Sequence, residues 1–254
     1  MDLGLHGKKV IMNGGAHGLG LASLKLFAAE GADVAFFSRK DDKIEAAKSE
    51  IGAAGSGKVF AEVFDMASGG DAYKAWLEKA AAELGGCDIF IHTASSSGTG
   101  GTGDWQNALD MDIMGAVNAV EVLTPHLAQS DSGSIVFMSS TAALETFIQP
   151  QAFNALKAAL ITYGSQLSQA LAPQGIRVNT VSPGAIEYPG GNWEVIKGVM
   201  PELYEGTLAK MPMGRFGNDE EVAKGIVFVA SPAVPYMTGS NIVIDGGFTQ
   251  RVQF

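Results

Sequence analysis

Short apolar runs rich in β-branched and aromatic residues alternate along the chain with longer amphipathic stretches. The run at 33–38, DVAFFS, lacks apolar–polar alternation, which indicates a strand buried on both faces of a parallel sheet. The stretch at 19–30 instead places its apolar residues on one side of a helix. The predicted strands are 9–13, 33–38, 58–64, 88–92, 134–138, 177–181 and 241–244, and the predicted helices are 19–30, 41–54, 71–84, 104–127 and 152–172.

This strand–helix alternation predicts an α/β fold, a Rossmann-like doubly wound parallel sheet of about seven strands with helices on both faces. A length of 254 residues allows one large domain or two small ones. No linker rich in Pro or Ser and no shift in composition divides the chain, so we expect a single domain over 1–254.

Composition narrows the classes of function. The chain has 33 Gly and 46% apolar residues, which argues against disorder and against an all-helical bundle. A net charge of −10 argues against nucleic-acid binding. The single Cys87 excludes an intramolecular disulfide and a multi-cysteine metal site, and no metal is expected. No signal peptide or long apolar run is present, so we expect a cytoplasmic protein without a membrane partner.

A glycine-rich loop, Gly14-Gly15-Ala16-His17-Gly18-Leu19-Gly20, follows the first predicted strand and opens a helix. Such a loop lets the backbone approach a pyrophosphate, and the helix N-terminus offers N–H donors and a positive dipole end. The alternative is an ordinary turn. The spacing differs from the G-x-G-x-x-G fingerprint of many dinucleotide-binding proteins.

The loop resembles the TGxxxGxG segment of the short-chain dehydrogenase/reductase family, with Asn13 where that family usually has Thr. Further matches occur in the same order over almost the whole chain, and the chain is identified as a member of this family. These matches are Asp65-Met66, Arg177-Val178-Asn179, Ser182-Pro183-Gly184, Arg215, Glu220-Glu221-Val222-Ala223 and Asp245-Gly246-Gly247. Membership implies hydride transfer between a nicotinamide cofactor and a small-molecule carbonyl or alcohol, and a homotetramer or homodimer built on the helices 104–127 and 152–172.

The resemblance also assigns the cofactor contacts. The residues expected to bind the cofactor are Gly14, His17, Gly18, Leu19, Gly20, Ser38, Arg39, Asp65, Met66, Ala94, Lys157, Pro183, Gly184 and Ile186. The second strand ends in Ser38-Arg39, where an acidic residue would bind the adenosine 2′-hydroxyl. A guanidinium there suits a 2′-phosphate, so NADP(H) is expected rather than NAD(H). The alternative for Arg39 is a solvated surface residue.

The catalytic positions depart from the family pattern, which uses Asn, Ser, Tyr and Lys. The resemblance gives Ser140 the role of binding the substrate oxygen and gives Lys157 the role of holding the nicotinamide ribose. The Tyr position is Phe153, the Asn position is Asp112, and the segment NNAG reads His92-Thr93-Ala94-Ser95. Phe153 and Lys157 have i, i+4 spacing and therefore share a helix face.

Phe153 has no proton to give, and losing a general acid costs about 10²–10⁴-fold in rate. One interpretation is a natural variant with altered or no redox chemistry; the other is an engineered Tyr→Phe change. In a natural variant, Asp112 could donate a proton if burial raised its pKa, could relay protons through water and Lys157, or could be purely structural. His92 is expected to be a satisfied structural residue.

The segment 187–210 resembles the substrate lid of the family. Together with Ser140, its aromatic residues Tyr188 and Trp193 are the expected substrate contacts, and they suit a medium-sized, largely apolar substrate. The alternative is that these rings pack the segment onto the protein body. The loop 95–103 is predicted to be a flexible loop, and the alternative is that it forms a mobile rim over the site.

The function predicted from the sequence is an NADP(H)-dependent oxidoreductase interconverting a carbonyl and a secondary alcohol, either active or inactivated by Phe153. The alternative is a non-redox protein on the same scaffold. It would be a lyase or isomerase using Asp112 and Ser140, or a cofactor-binding pseudoenzyme.

Overall fold

Seven parallel strands form one sheet in the computed structural model, which describes residues 1–99, 103–146 and 149–252. Their order across the sheet is β3-β2-β1-β4-β5-β6-β7, which confirms the predicted fold class. The strands are β1 (Lys9–Asn13), β2 (Asp33–Ser38), β3 (Val59–Val63), β4 (Ile89–His92), β5 (Ser134–Met138), β6 (Arg177–Pro183) and β7 (Asn241–Ile244). Residues 100–102 of the predicted flexible loop lie outside the described residues.

Helices cover both faces of the sheet. The helices are α1 (Gly18–Ala29), α2 (Asp41–Ala54), α3 (Gly70–Leu84), α4 (Trp105–Ala108), α5 (Gly115–Leu127), α6 (Ala152–Leu171), α7 (Asn192–Val199), α8 (Pro201–Leu208) and α9 (Asp219–Ala230). Helix α1 packs between α2 and α9 over one apolar core, and α3, α5 and α6 enclose a second core on the opposite face. Within the described parts of the chain, no helix combines the length and apolar character that crossing a bilayer requires.

The strand order reverses between β1 and β4. In an open parallel sheet, the loops after these two strands diverge and leave a crevice at the carboxyl ends of the strands. The glycine loop follows β1, and residues 93–96 follow β4. The fold therefore brings both segments to the edge where a ligand binds.

Two helical features differ from the sequence prediction. The predicted helix 104–127 is divided into α4, a π-helical turn at Leu109–Met114 and α5. Helix α9 was not predicted, although its capping box and the apolar spacing of Val222, Ile226 and Val227 are present in the sequence. The π turn and α9 both support the site, because the turn carries Asp112 and α9 packs against α1.

Candidate active site

The glycine loop joins the last residue of β1 to the start of α1. Its backbone uses left-handed torsion angles, with φ of +80° at Gly14 and +53° at Gly18. A Cβ atom on Gly20 would lie 2.9 Å from the Cα atom of Gly15, so the loop folds tightly on itself. The N-cap residue, His17, makes no side-chain capping hydrogen bond within the described residues. The first N–H groups of α1 are thus suited to an anion, and the loop fits a dinucleotide pyrophosphate.

Tyr188 lies against this loop. A Cβ atom on Gly18 would lie 2.4 Å from a ring carbon of Tyr188, so the glycine is what allows the ring to approach. Burial, followed by the nearby charge of Asp219, raises the pKa of the phenol. The ring borders the predicted cofactor cleft, and its predicted contact with substrate stays a prediction.

A group of basic residues surrounds the end of β2. Ser38 is its last residue, and Arg39 follows it at an exposed position. Burial chiefly lowers the pKa of His17, and the positive charges of Lys43 and Arg39 lower it further. Lys43 was missed by the sequence analysis. It could have been found as the residue one helical turn after Arg39, at the start of α2.

The remaining predicted cofactor residues also follow the carboxyl ends of strands. Asp65 follows β3 and accepts a hydrogen bond from the Ala67 amide at 3.0 Å. Ala94 follows β4, and its amide donates to the Asn13 side chain at 3.0 Å. Pro183 ends β6, with Gly184 next in the chain. A Cβ atom on Gly184 would lie 2.7 Å from the Asp245 Cβ atom, so only glycine fits there. Met66 and Ile186 also lie just beyond strand ends, after β3 and β6 respectively.

Lys157 is the buried cation of the site, with 2% of its surface exposed. Its Nζ atom donates a hydrogen bond of 2.7 Å to the Met138 carbonyl oxygen at the end of β5. It also lies 2.9 Å from the Asp112 Oδ1 atom. The Ser139 hydroxyl donates to the Lys157 carbonyl oxygen at 2.8 Å, which fixes α6 to the end of β5. The carbonyl of Met138 could not have been found from side-chain patterns.

Asp112 is fully buried on the π turn and is held as a carboxylate. The Ser96 amide donates to its Oδ2 atom at 3.1 Å. Burial favours the protonated form, but the charge of Lys157 and the hydrogen bonds to the carboxylate outweigh it and lower the pKa of Asp112. An ionised carboxylate cannot donate a proton, which removes the first of the three roles considered for Asp112.

His92 is a buried neutral residue beneath the site. Its Nε2 atom lies 3.1 Å from the Asp112 carbonyl oxygen, and its Nδ1 atom lies 2.6 Å from the Asn13 Nδ2 atom. Since the carbonyl oxygen can only accept and the amide nitrogen can only donate, the network assigns the proton to Nε2. Burial, reinforced by the charge of Lys157, lowers the pKa of His92 to about 3. These contacts agree with the structural role expected for this residue.

Asn13 joins β1 to the segment after β4. Its Oδ1 atom accepts from the amides of Thr93 at 2.7 Å and Ala94 at 3.0 Å, while its Nδ2 atom also donates to the Tyr73 hydroxyl at 3.0 Å. The departures at 13 and 92 are therefore in direct contact with one another. They set the position of the backbone that borders the crevice.

Ser140 and Phe153 flank the ion pair. The Ser140 Oγ atom accepts from the Ala142 amide at 3.1 Å, which holds the side chain at the start of a short 3₁₀ turn. The Phe153 ring centroid lies 5.6 Å from the Lys157 Nζ atom. Phe153, Asp112 and Lys157 are thus brought together as the sequence analysis expected. No hydroxyl is present on the aromatic ring beside the cation.

The predicted lid contains α7 and α8. Trp193 packs on Phe216, with a centroid distance of 4.7 Å, and against Tyr204 at 6.4 Å. Tyr204 is buried and donates its hydroxyl to Glu187 at 2.9 Å. The segment therefore has its own small core. Trp193 helps to form that core, and its contact with substrate stays a prediction.

Comparison with known proteins gives full-length matches. The family model described as enoyl-(acyl carrier protein) reductase matches residues 14–249. Isoepoxydon dehydrogenase from Penicillium expansum is 35% identical over 258 positions, which cover 100% of this chain and 99% of that protein. The 2,5-dichloro-2,5-cyclohexadiene-1,4-diol dehydrogenase of Sphingobium indicum is 30% identical over 255 positions, which cover 98% of each.

A solved structure gives the same picture. The crystal structure of L-sorbose reductase from Gluconobacter frateurii, in complex with NADPH and L-sorbose, matches with a TM-score of 0.88 and 27% identity. The match covers 99% of this chain and 100% of that one. The similarity therefore extends well beyond the glycine loop.

Proposed function

Because the chain belongs to the short-chain dehydrogenase/reductase family, we propose that it is an NADP(H)-dependent enzyme that interconverts a carbonyl and a secondary alcohol. The chain is an oxidoreductase of this family that acts on CH–OH groups.

The observation that carries the cofactor proposal is the basic group at the end of β2. The positive charges of Lys43 and Arg39 both lower the pKa of His17, so both charges act on the region between the end of β2 and the glycine loop. A 2′-phosphate bound there would meet one guanidinium and one ammonium. The NADPH complex of L-sorbose reductase, which has the same fold, supports a nicotinamide dinucleotide in this crevice.

Ser140 and Lys157 have separate roles in the proposed reaction. When bound, the nicotinamide supplies or accepts the hydride. Ser140 donates its hydroxyl hydrogen to the substrate oxygen. Lys157 has three N–H donors, and Asp112 and the Met138 carbonyl leave one for a ribose hydroxyl.

The proton needed to complete a carbonyl reduction comes from water, with the Ser140 hydroxyl as a relay. Phe153 has no exchangeable proton, and Asp112 is an ionised partner of Lys157. We therefore expect slow turnover, about 10²–10⁴-fold below that of a comparable site with a phenol. The lyase or isomerase alternative, which would use Asp112 and Ser140, is not favoured, because the similar proteins are named as dehydrogenases and reductases.

The substrate proposed is a medium-sized, largely apolar ketone or secondary alcohol. Tyr188 and Trp193 present aromatic surface near the crevice, and α7 exposes Val195 and Val199. The 2,5-dichloro-2,5-cyclohexadiene-1,4-diol dehydrogenase carries in its name a ring diol of this kind. The lid segment holds acidic residues in excess of basic ones, which disfavours a phosphorylated substrate. A homodimer or homotetramer is proposed from the family resemblance.

Equilibrium binding of NADPH and NADH tests the cofactor proposal. The parent chain is expected to bind NADPH at least tenfold more tightly than NADH, and Arg39→Ala is expected to abolish that difference. Lys48→Ala is the matched control, because it removes a surface positive charge from α2, the helix that follows Arg39. Equal effects of the two substitutions, or tighter NADH binding by the parent, would refute the NADP preference.

Turnover is tested by following NADPH oxidation with a panel of cyclic ketones, a keto sugar and a 3-oxoacyl thioester. Slow oxidation by the parent, with stoichiometric alcohol, is the expected result. Lys157→Met is expected to lose it. Absence of turnover in both the parent and Phe153→Tyr would overturn the redox proposal.

A further inference from the structure

Asp112 and Phe153, which both differ from the family pattern, lie beside the same cation, Lys157. The Asp112 carboxylate lies 2.9 Å from the Lys157 Nζ atom, and the Phe153 ring centroid lies 5.6 Å from the same atom. Asp112 is fully buried and Lys157 is 2% exposed. A charge on either of these two buried groups is therefore felt at the other with little screening by water, and the half-buried Phe153 lies beside the ammonium.

A buried ammonium needs a counter-ion. If residue 112 were the neutral Asn of the family pattern, the Met138 carbonyl would be the described partner of Lys157 and phenyl the neighbour at 153. That arrangement would leave a positive charge uncompensated in the interior, which is strongly unfavourable. The Ser96 amide donates to the Asp112 carboxylate at 3.1 Å, so the counter-charge is held on the π turn.

The same carboxylate changes the net charge beside which a phenol at position 153 would lie. A lone ammonium favours the phenolate, whereas an ammonium with a carboxylate at 2.9 Å presents nearly balanced charges. The third titratable group in contact with this cluster is His92, which is neutral and adds no charge. The described contacts of the pair therefore contain one positive and one negative group.

We propose that Asp112 is a positioning residue that serves as the permanent counter-ion of Lys157, and that this role couples position 112 to position 153. The coupling deepens the proposed function and rests on it only for the roles given to the two positions. An isolated Tyr→Phe change would not account for the carboxylate at 112. The charges of Asp112 and Lys157 therefore balance each other without a phenol at position 153.

The coupling predicts that Phe153→Tyr alone installs a phenol that ionises poorly. Changing Asp112→Asn in addition exposes the phenol to the uncompensated charge of Lys157. The pKa of the Tyr introduced at 153 is expected to fall by about 1–3 units between Phe153→Tyr and the double variant Asp112→Asn/Phe153→Tyr. The matched control is Asp110→Asn/Phe153→Tyr, which removes an exposed carboxylate from the same π turn.

The measurement is the near-ultraviolet titration of tyrosinate in the free protein, with the parent chain, which has five Tyr, subtracted as the reference. Identical phenol titrations in all three variants would overturn the proposal. Since no cofactor or substrate is present, the result is independent of turnover. A chain that shows the coupling but never oxidises NADPH would refute the proposed function alone.

A second measurement keeps the proposal testable if the Asn variant is unstable. Asp112→Asn on the parent background is expected to lower the melting temperature by about 10 °C, because it leaves Lys157 unpaired. Asp112→Asn/Lys157→Met removes both charges and is expected to recover part of that loss. A double variant less stable than Asp112→Asn, or an Asp112→Asn variant as stable as the parent, would contradict the counter-ion role.

Discussion

At the scale of single residues, His92 makes the stability of the protein depend on pH. Burial and then the charge of Lys157 hold its pKa at about 3, against 6.5 for an ordinary imidazole. Between those values the unfolded chain binds a proton that the folded chain does not, so folding becomes less favourable as the pH falls from 6.5 towards 3. The slope is at most about 1.4 kcal/mol per pH unit.

The corresponding variant is His92→Asn, which keeps an N–H donor for the Asp112 carbonyl. It is expected to flatten the decline in unfolding free energy between pH 6.5 and 4, as measured by urea denaturation at several pH values. His6→Asn, which removes an exposed imidazole, is the control. An unchanged slope in His92→Asn would show that this residue is not the source of the pH dependence.

Gly18 is a position of the cofactor loop where a side chain would meet both an unfavourable backbone conformation and the Tyr188 ring. Its φ of +53° disfavours other residues by about 1–2 kcal/mol, and a Cβ atom would lie 2.4 Å from the Tyr188 ring. Gly18→Ala is expected to weaken NADPH binding at least tenfold and to lower the unfolding free energy. Gly52→Ala, in the last turn of α2 with no atom within 4 Å of the new Cβ, is expected to be stabilising by up to about 1 kcal/mol. Equal NADPH affinity in the two variants would contradict the prediction.

At the scale of elements, the π turn at Leu109–Met114 is a feature that the sequence did not predict. The apolar spacing over 104–127 predicts one continuous helix, and that is correct apart from this turn. One extra residue per turn changes the direction of side chains locally without altering the overall periodicity. The family resemblance therefore selected Asp112, whereas its burial and its pairing with Lys157 were visible only in the structure.

Helix α9 depends on its N-terminal capping box. The Asn218 side chain accepts from the Glu221 amide at 2.9 Å, and the Asn218 amide donates to the Glu221 carboxylate at 2.9 Å. Because α9 packs on α1, weakening it also loosens the support of the glycine loop. Asn218→Ala is expected to lower the unfolding free energy in urea by about 1 kcal/mol.

The control for this prediction is Glu220→Ala, in the same first turn but outside the capping box. It is expected to change stability by less than about 0.5 kcal/mol. If the two alanine variants were equally stable, the capping box would not be what stabilises this end of α9.

At the scale of the whole molecule, the strands of the sheet were predictable from the sequence, whereas the lid helices within 187–210 were not. Buried parallel strands appear in sequence as continuous apolar runs, so all seven strands were predicted to within two residues at each end. The lid helices were not separated within 187–210, because their apolar residues pack on one another in a small local core. The second apolar cluster of the sheet contains Val120 and Leu160, which lie in the two helical segments that the family resemblance assigns to assembly.

Assembly of the chain is the last prediction. Since Val120 and Leu160 are buried within the protomer, an interface on the helices 104–127 and 152–172 must use other apolar side chains. Trp105 is 61% exposed, and Leu109 is 38% exposed one turn later, which forms an apolar strip at the start of this helical segment.

Sedimentation velocity is expected to give a species of two or four chains. The double variant Trp105→Glu/Leu109→Glu is expected to shift that species towards smaller assemblies, because it places charge in an apolar contact. Val195→Glu/Val199→Glu, on the exposed face of α7, is the control and should leave the mass unchanged. A monomeric parent would contradict the predicted assembly. A shift caused by the α7 variant alone would show that the interface does not lie on the helices 104–127 and 152–172.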